Sequence, residues 1–262
     1  MCKLLNRSLW MIIVLLLLWS IMIYIFQLPS FILPSPLSVV KTLYSAYPLI
    51  LYQSMTTIFE AVAGFIAGAI IGILFAIMVS QFKMARLWFL PLLLVSQALP
   101  VFVLAPLLVL WLGYGESSKI LICTLMVFFP VTSAFYDGLR HTPKHYLELG
   151  QVMGACKMRL LWHIKIPSAL PLLASGLRLA AVFSPMGAII GEWVGASRGL
   201  GFLILNANAR MQMDMVFAVL IVIILFTLLF YFTVDWVLKH FLSAKFGMQT
   251  SQSGYAKSMS IK

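Results

Sequence analysis

Charge is scarce in this chain, and acid scarcest: only 7 of 262 residues are Asp or Glu, and 10% are charged against 63% hydrophobic. A soluble globular domain has about 25% charged and about 45–50% apolar residues, so this composition places the chain in a bilayer. The mean hydropathy of +1.05 agrees. No G-x-x-x-x-G-K-[ST] occurs, so the chain has no phosphate-cradling loop of its own. The cysteines, Cys2, Cys123 and Cys156, form no C-x-x-C and read as small apolar residues. His141 and His145 stand four apart, but Pro143 lies between them and no H-E-x-x-H is present, so this stretch reads as solvated loop. Neither a metal nor a cofactor is expected.

Long apolar runs fill the rest. A hydrocarbon core takes about 20 helical residues, and stretches of that order lie at 9–26, 55–80, 88–112, 119–136, 168–191 and 215–238. The first is too long for a signal-peptide core and lacks a small-x-small cleavage site, so it reads as a retained span. The expectation is an all-α, multi-pass protein of about six transmembrane helices over 1–246, with a disordered tail at 247–262 rich in Ser, Lys and Gln.

The net charge of +11 could point to nucleic acid, but the positions of the charges argue against it. With the N-terminus inside, 13 of the 18 Lys and Arg fall on inner segments. Lys41, Lys119, Arg198 and Arg210 fall outside and Arg178 within a span. The positive-inside rule then places both termini and the 137–167 segment in the cytoplasm.

Pro91, Pro100 and Pro106 should kink or break the third span, either as a bent packing helix or as a pathway lining. The fourth reads as short. Gly64, Gly68 and Gly72 share one face of the second span and suit close helix packing. Ionisable residues within spans are costly and need a partner or water. Arg178 is either a structural ion pair or a gate element, and Glu60 and Glu192 divide between the same readings. Asp235, near a span end, reads as solvated.

The polar island within 137–167 carries the most specific pattern. Glu148-Leu149-Gly150, three residues, Gly154, nine residues and Ile164-Lys165-Ile166-Pro167 follow in order. Tyr146, Leu149, Met153, Cys156 and Leu160 recur at helical steps, and an apolar stripe is expected there, with a bend at Gly154. The spacing resembles the EAA loop of ABC importer permeases (E-A-A, three residues, G, nine residues, I-x-L-P), with conservative departures at Leu149, Gly150 and Ile166. The resemblance implies that Glu148, Leu149, Gly150, Met153, Gly154, Ile164 and Pro167 couple to a cytoplasmic ABC ATPase. Glu148 would fix the loop by a hydrogen bond or ion pair.

The likeness continues through Ile32-Leu33-Pro34-Ser35-Pro36, Trp111-Leu112-Gly113-Tyr114-Gly115 and Gly176-Leu177-Arg178, as in the nitrate, taurine and sulfonate permease family. Gly191–Gly201 and Asn206–Met211 look most like permeases for the thiamine precursor hydroxymethylpyrimidine. The family implies a type I, MetI-like importer fold in the bacterial inner membrane. Its partners would be a second permease subunit, commonly an identical one, the ATPase and an extracytoplasmic substrate-binding protein. Pathway or gate positions would include Glu60, Pro100, Arg178 and Glu192. An ion-coupled secondary transporter is a rival, but it would carry more carboxylates within spans. A membrane enzyme would need a catalytic cluster that the sequence lacks.

Overall fold

The computed structural model describes residues 2–82, 84–88, 91 and 100–246. The expected tail at 247–262, and residues 89–90 and 92–99 of the third expected span, lie outside the described residues. Helices α1 (Cys2–Phe26), α2 (Pro36–Ser45) and α3 (Tyr47–Gln81) are followed by α4 (Val101–Leu112) and α5 (Glu116–Arg140). Two short helices, α6 (Lys144–Val152) and α7 (Lys157–Leu160), lead through a π turn at Leu161–Lys165 into α8 (Ile166–Gly195). Then come α9 (Leu200–Ala209) and α10 (Met213–Phe246).

Four helical stretches are long and apolar enough to cross a membrane: Tyr47–Gln81, Glu116–Arg140, Lys157–Gly195 and Met213–Leu242. They correspond to the second, fourth, fifth and sixth expected spans. The first expected span forms α1. Of the third, Pro100 has an extended backbone and caps α4. One expectation needs correction: the fourth span is not short, since α5 has 25 residues. Ser118 and Lys119 are buried within it, and polar residues that pair inside a bundle shorten an apolar run without shortening the helix.

At the centre, α5 is clasped between α3 and α8. Val127, Val131, Phe135 and Leu139 of α5 pack with Ala69, Ala76 and Val79 of α3 and Ala169, Leu173 and Ala180 of α8. Small residues bring these helices together, as expected where lipid gives no hydrophobic drive to association. A Cβ on Gly68 would stand 2.7 Å from the Thr124 carbonyl oxygen, and one on Gly72 3.1 Å from that of Phe128. One on Gly64 would collide with the Cys123 side chain. A second cluster joins Val39 of α2, Ile50 of α3, Leu200, Leu203 and Ile204 of α9, and Ala218 and Val219 of α10. Beyond these contacts α10 is largely exposed, presenting Ile224, Leu225, Leu228, Leu229 and Phe232 as a lipid-compatible face.

Candidate functional site

Two sites occupy opposite ends of the bundle. α5 runs from the first, at its N-terminal end, toward the second, which is built from the residues after Arg140.

At the second site, α6 ends in a left-handed turn. Gly154 has φ +76°, its N–H donates to the Gln151 carbonyl at 2.9 Å, and the Ala155 N–H donates to the Gly150 carbonyl at 2.9 Å. This is a Schellman C-cap, in which glycine takes a backbone conformation that L side chains resist. The space around Gly154 is open, with nothing within 4 Å of a Cβ built there. Its constraint is conformational and not steric. Gly150 shows the reverse: a Cβ there would stand 2.5 Å from Leu160 Cδ2 and 3.0 Å from Ile164 Cδ1. The departure from alanine in the motif thus lets α6 fold tightly back onto the following segment.

The expected single apolar stripe does not form. The helix breaks between Val152 and Lys157, sending Leu160 into the interior while Tyr146, Leu149, Met153 and Cys156 stay exposed. Tyr146, Leu149, Gly150, Met153, Ile164 and Pro167 instead line a cavity of about 280 Å³ together with His163 and Ser168. Glu148 was expected to fix the loop; it is exposed and has no hydrogen bond or ion pair within the described residues. Val152 at 86% exposure and Met153 at 78% project large apolar side chains from this end. The Arg159 backbone N–H beside its sulfur holds the exposed Cys156 thiol below its usual pKa.

At the first site, Glu60 of α3 and Glu192 of α8 are buried together with Lys119 of α5. Lys119 Nζ lies 3.2 Å from Glu60 Oε1, so Lys119 is a buried ion-pair partner and not the outer-loop charge its position suggested. The two carboxyls are electrostatic neighbours, and Lys119 acts on both. Glu192 also accepts a hydrogen bond from Thr57 Oγ1 at 2.6 Å and one from the Gly201 N–H. Thr57 Oγ1 in turn accepts from the Leu200 N–H at 2.9 Å, and Gln53 Oε1 accepts from the Gly199 N–H at 2.8 Å. The free N–H groups at the start of α9 are thereby satisfied by side chains of α3 and α8, as a buried helix end requires. Gly199, at φ +113°, leaves room for the Glu192 carboxyl, with which any Cβ would collide.

Sequence reading selected Glu60 and Glu192 but missed Gln53, Thr57 and Lys119. Gln53 and Thr57 stand seven and three residues before Glu60 in α3, a helical spacing that was available as a signal. The remaining pathway candidates stand apart. Arg178 lies 14 residues before Glu192, about 21 Å along the helix. Its Nε donates to Asp235 Oδ1 at 2.6 Å, tying α8 to α10. Asp235 also pairs with Lys239 at 2.7 Å and its side chain is 14% exposed, so it is not a solvated end. Pro100 is exposed at the start of α4. Among the described residues no group of three or more His, Cys, Asp or Glu could hold a metal ion.

Comparison with known proteins supplies the family. The family model of the binding-protein-dependent transport system inner membrane component matches residues 64–245. A probable ABC transporter permease protein of Haemophilus influenzae is 43% identical over 229 residues, 87% of this chain and 94% of its own length. The formylaminopyrimidine transport permease ThiX of Halalkalibacterium halodurans is 36% identical over 191 residues, 72% of this chain and 76% of its own. Further relatives are named for the transport of riboflavin, aliphatic sulfonates and taurine. An inward-facing structure of the MetNI methionine ABC transporter superposes with a TM-score of 0.58 at 17% identity, covering 76% of this chain and 97% of that one. The chain belongs to the inner-membrane components of binding-protein-dependent transport systems and is an ABC importer permease subunit of MetI-like fold.

Proposed function

We propose that two copies of this chain form a translocation pathway whose opening is coupled to a separate cytoplasmic ATPase through the α6–α7 segment. The observation that carries the reading is the exposed apolar end: Leu149 and Met153 are exposed at the edge of a cavity and Val152 projects nearby in sequence. Apolar surface of that size outside the spans marks an interaction site. Residues 144–165 also lie at the end where basic side chains gather, which supports a cytoplasmic position with both termini on the same side. Glu148, without a hydrogen bond or ion pair among the described residues, is available to a cation on the ATPase. An extracytoplasmic binding protein delivers the solute at the opposite end, where α9 is anchored. The relative named for formylaminopyrimidine supports a pyrimidine such as hydroxymethylpyrimidine as the solute. Taurine, other sulfonates and nitrate are the alternatives.

The test is Gly154→Asp at matched membrane levels. The substitution forces a side chain into the left-handed region and sets a charge beside the docking surface, so co-purification with the ATPase and ATP-driven uptake should both fall. Each 1.4 kcal/mol of lost fit is about tenfold in affinity. Wild-type values for both would remove the docking role from this segment.

A further inference from the structure

A cavity of about 540 Å³ lies between α5 and α8, in the size range of small-molecule sites. Phe129, Ser133 and Asp137 line it at four-residue steps along α5, and Leu172, Ser175 and Phe183 line it from α8. Helical periodicity therefore turns one face of each spanning helix toward a shared groove.

Two features separate this groove from an ordinary packing gap. The hydroxyls of Thr124, Thr132, Ser168, Thr227 and Thr233 each bond the carbonyl four residues earlier on their own helix. Ser133 and Ser175 make no side-chain hydrogen bond within the described residues, and the Asp137 carboxylate accepts none and forms no ion pair there. Ser133 and Ser175 on the spanning helices, and the exposed Asp137 near the C-terminal end of α5, thus have no partner among the described residues and are open to a ligand in the groove. The second feature is charge: among the described residues that line the groove, Asp137 is the only charged one.

We infer that this groove is a solute-binding segment of the pathway, selecting uncharged or cationic amine-bearing heteroaromatic rings and rejecting sulfonates and other anions. Phe129 and Phe183 line the groove and supply aromatic surface against which a flat ring can pack. Ser133 and Ser175 can donate or accept, and Asp137 accepts from an amino group. An anion would meet the Asp137 carboxylate, the one charge among the described lining residues. The inference rests on the permease reading and narrows its substrate class.

The experiment uses the full chain assembled with its ATPase and binding protein in proteoliposomes. Cys2 and Cys156 are replaced by Ser, Cys123 stays buried, and Ser133→Cys supplies the reporter. Ser133 and Asp137 are neighbours one helical turn apart, so a cationic methanethiosulfonate should label the reporter about tenfold faster than an anionic one. Adding Asp137→Asn should remove the bias. Hydroxymethylpyrimidine should protect the thiol and taurine should not. Ser175→Cys repeats the measurement from the other wall and decides the matter where the first variant fails to assemble. Equal rates for the two reagents, protection by taurine, or no labelling at either position would overturn the inference, the last showing that a second copy or lipid seals the groove. ATP-driven uptake by the unsubstituted chain in parallel vesicles separates the two readings. Uptake without charge bias or pyrimidine protection removes the groove alone, whereas biased, protected labelling without uptake removes the importer coupling alone.

Discussion

Substituting the glycines of α3 one at a time should produce a graded loss of stability whose order is set by the α3–α5 spacing. Alanine at 68 puts a Cβ 2.7 Å from both the Thr124 carbonyl oxygen and Val127 Cβ. Ordinary carbon contacts lie at about 3.5–4.0 Å, so one helix must retreat by roughly 0.8 Å or more. Overpacking of this kind costs about 1–3 kcal/mol. Helix propensity pulls the other way, because alanine is favoured over glycine by up to about 1 kcal/mol. The net for Gly68→Ala is a destabilisation of about 1–2 kcal/mol. At 72 the nearest atoms are 3.1 Å away and one is the Thr132 hydroxyl, so Gly72→Ala should be close to neutral. Gly64→Ala, facing the Cys123 Cβ, should be the worst of the three, and Gly68→Leu should block assembly. In domains of about 150–250 residues 1 kcal/mol moves Tm by about 2–4 °C, so Gly68→Ala should melt roughly 2–8 °C below wild type. Thermal unfolding of detergent-purified protein, with monodispersity checked by size exclusion, measures this. Wild-type stability for Gly68→Ala and Gly68→Leu, or greater damage at 72 than at 68, would refute the packing argument.

Other expectations concern the two ends. Glu192→Ala should leave the Thr57 hydroxyl and the Gly201 N–H unpartnered at roughly 1–3 kcal/mol each, while Glu192→Gln, which keeps an acceptor, should cost less; limited proteolysis of the 196–212 region reads the difference. The Arg178–Asp235 pair should show a positive coupling in a double-mutant cycle on thermal stability, and a zero coupling would make it incidental. Cys156 should react with a small alkylating reagent while Cys123 does not. Its lowered pKa means more thiolate at a given pH, so its rate should reach half-maximum below the ordinary thiol value of about 8.5. Bound ATPase should slow that reaction if the α6–α7 segment docks; an unchanged rate would place Cys156 outside the interface. Rigorously isolated, the chain should neither bind nor hydrolyse ATP.

What the sequence determined on its own was whatever depends on local composition and spacing. Runs of apolar residues specify helices of membrane length, because an unsatisfied backbone is intolerable in hydrocarbon. Glycines four apart on α3 specify a helix face that can be approached closely, and the Glu148-to-Pro167 register marked the segment that the fold sets apart from the spans. Tertiary structure alone decided what depends on partners distant in sequence. Lys119 looked like a loop charge until α3 brought Glu60 to it across 59 positions. Asp235 looked solvated until Arg178 reached it from 57 residues away. Glu192 read equally as a structural partner or a gate element, and the fold sets its carboxyl against the Gly201 N–H at the start of α9. The apolar stripe through Tyr146 and Leu160 failed because periodicity assumes one continuous helix, whereas the left-handed Gly154 turn redirects the chain and buries only Leu160. Burial of a charged or polar side chain in a bilayer is settled by the group that meets it, and that group is chosen by the packing of helices.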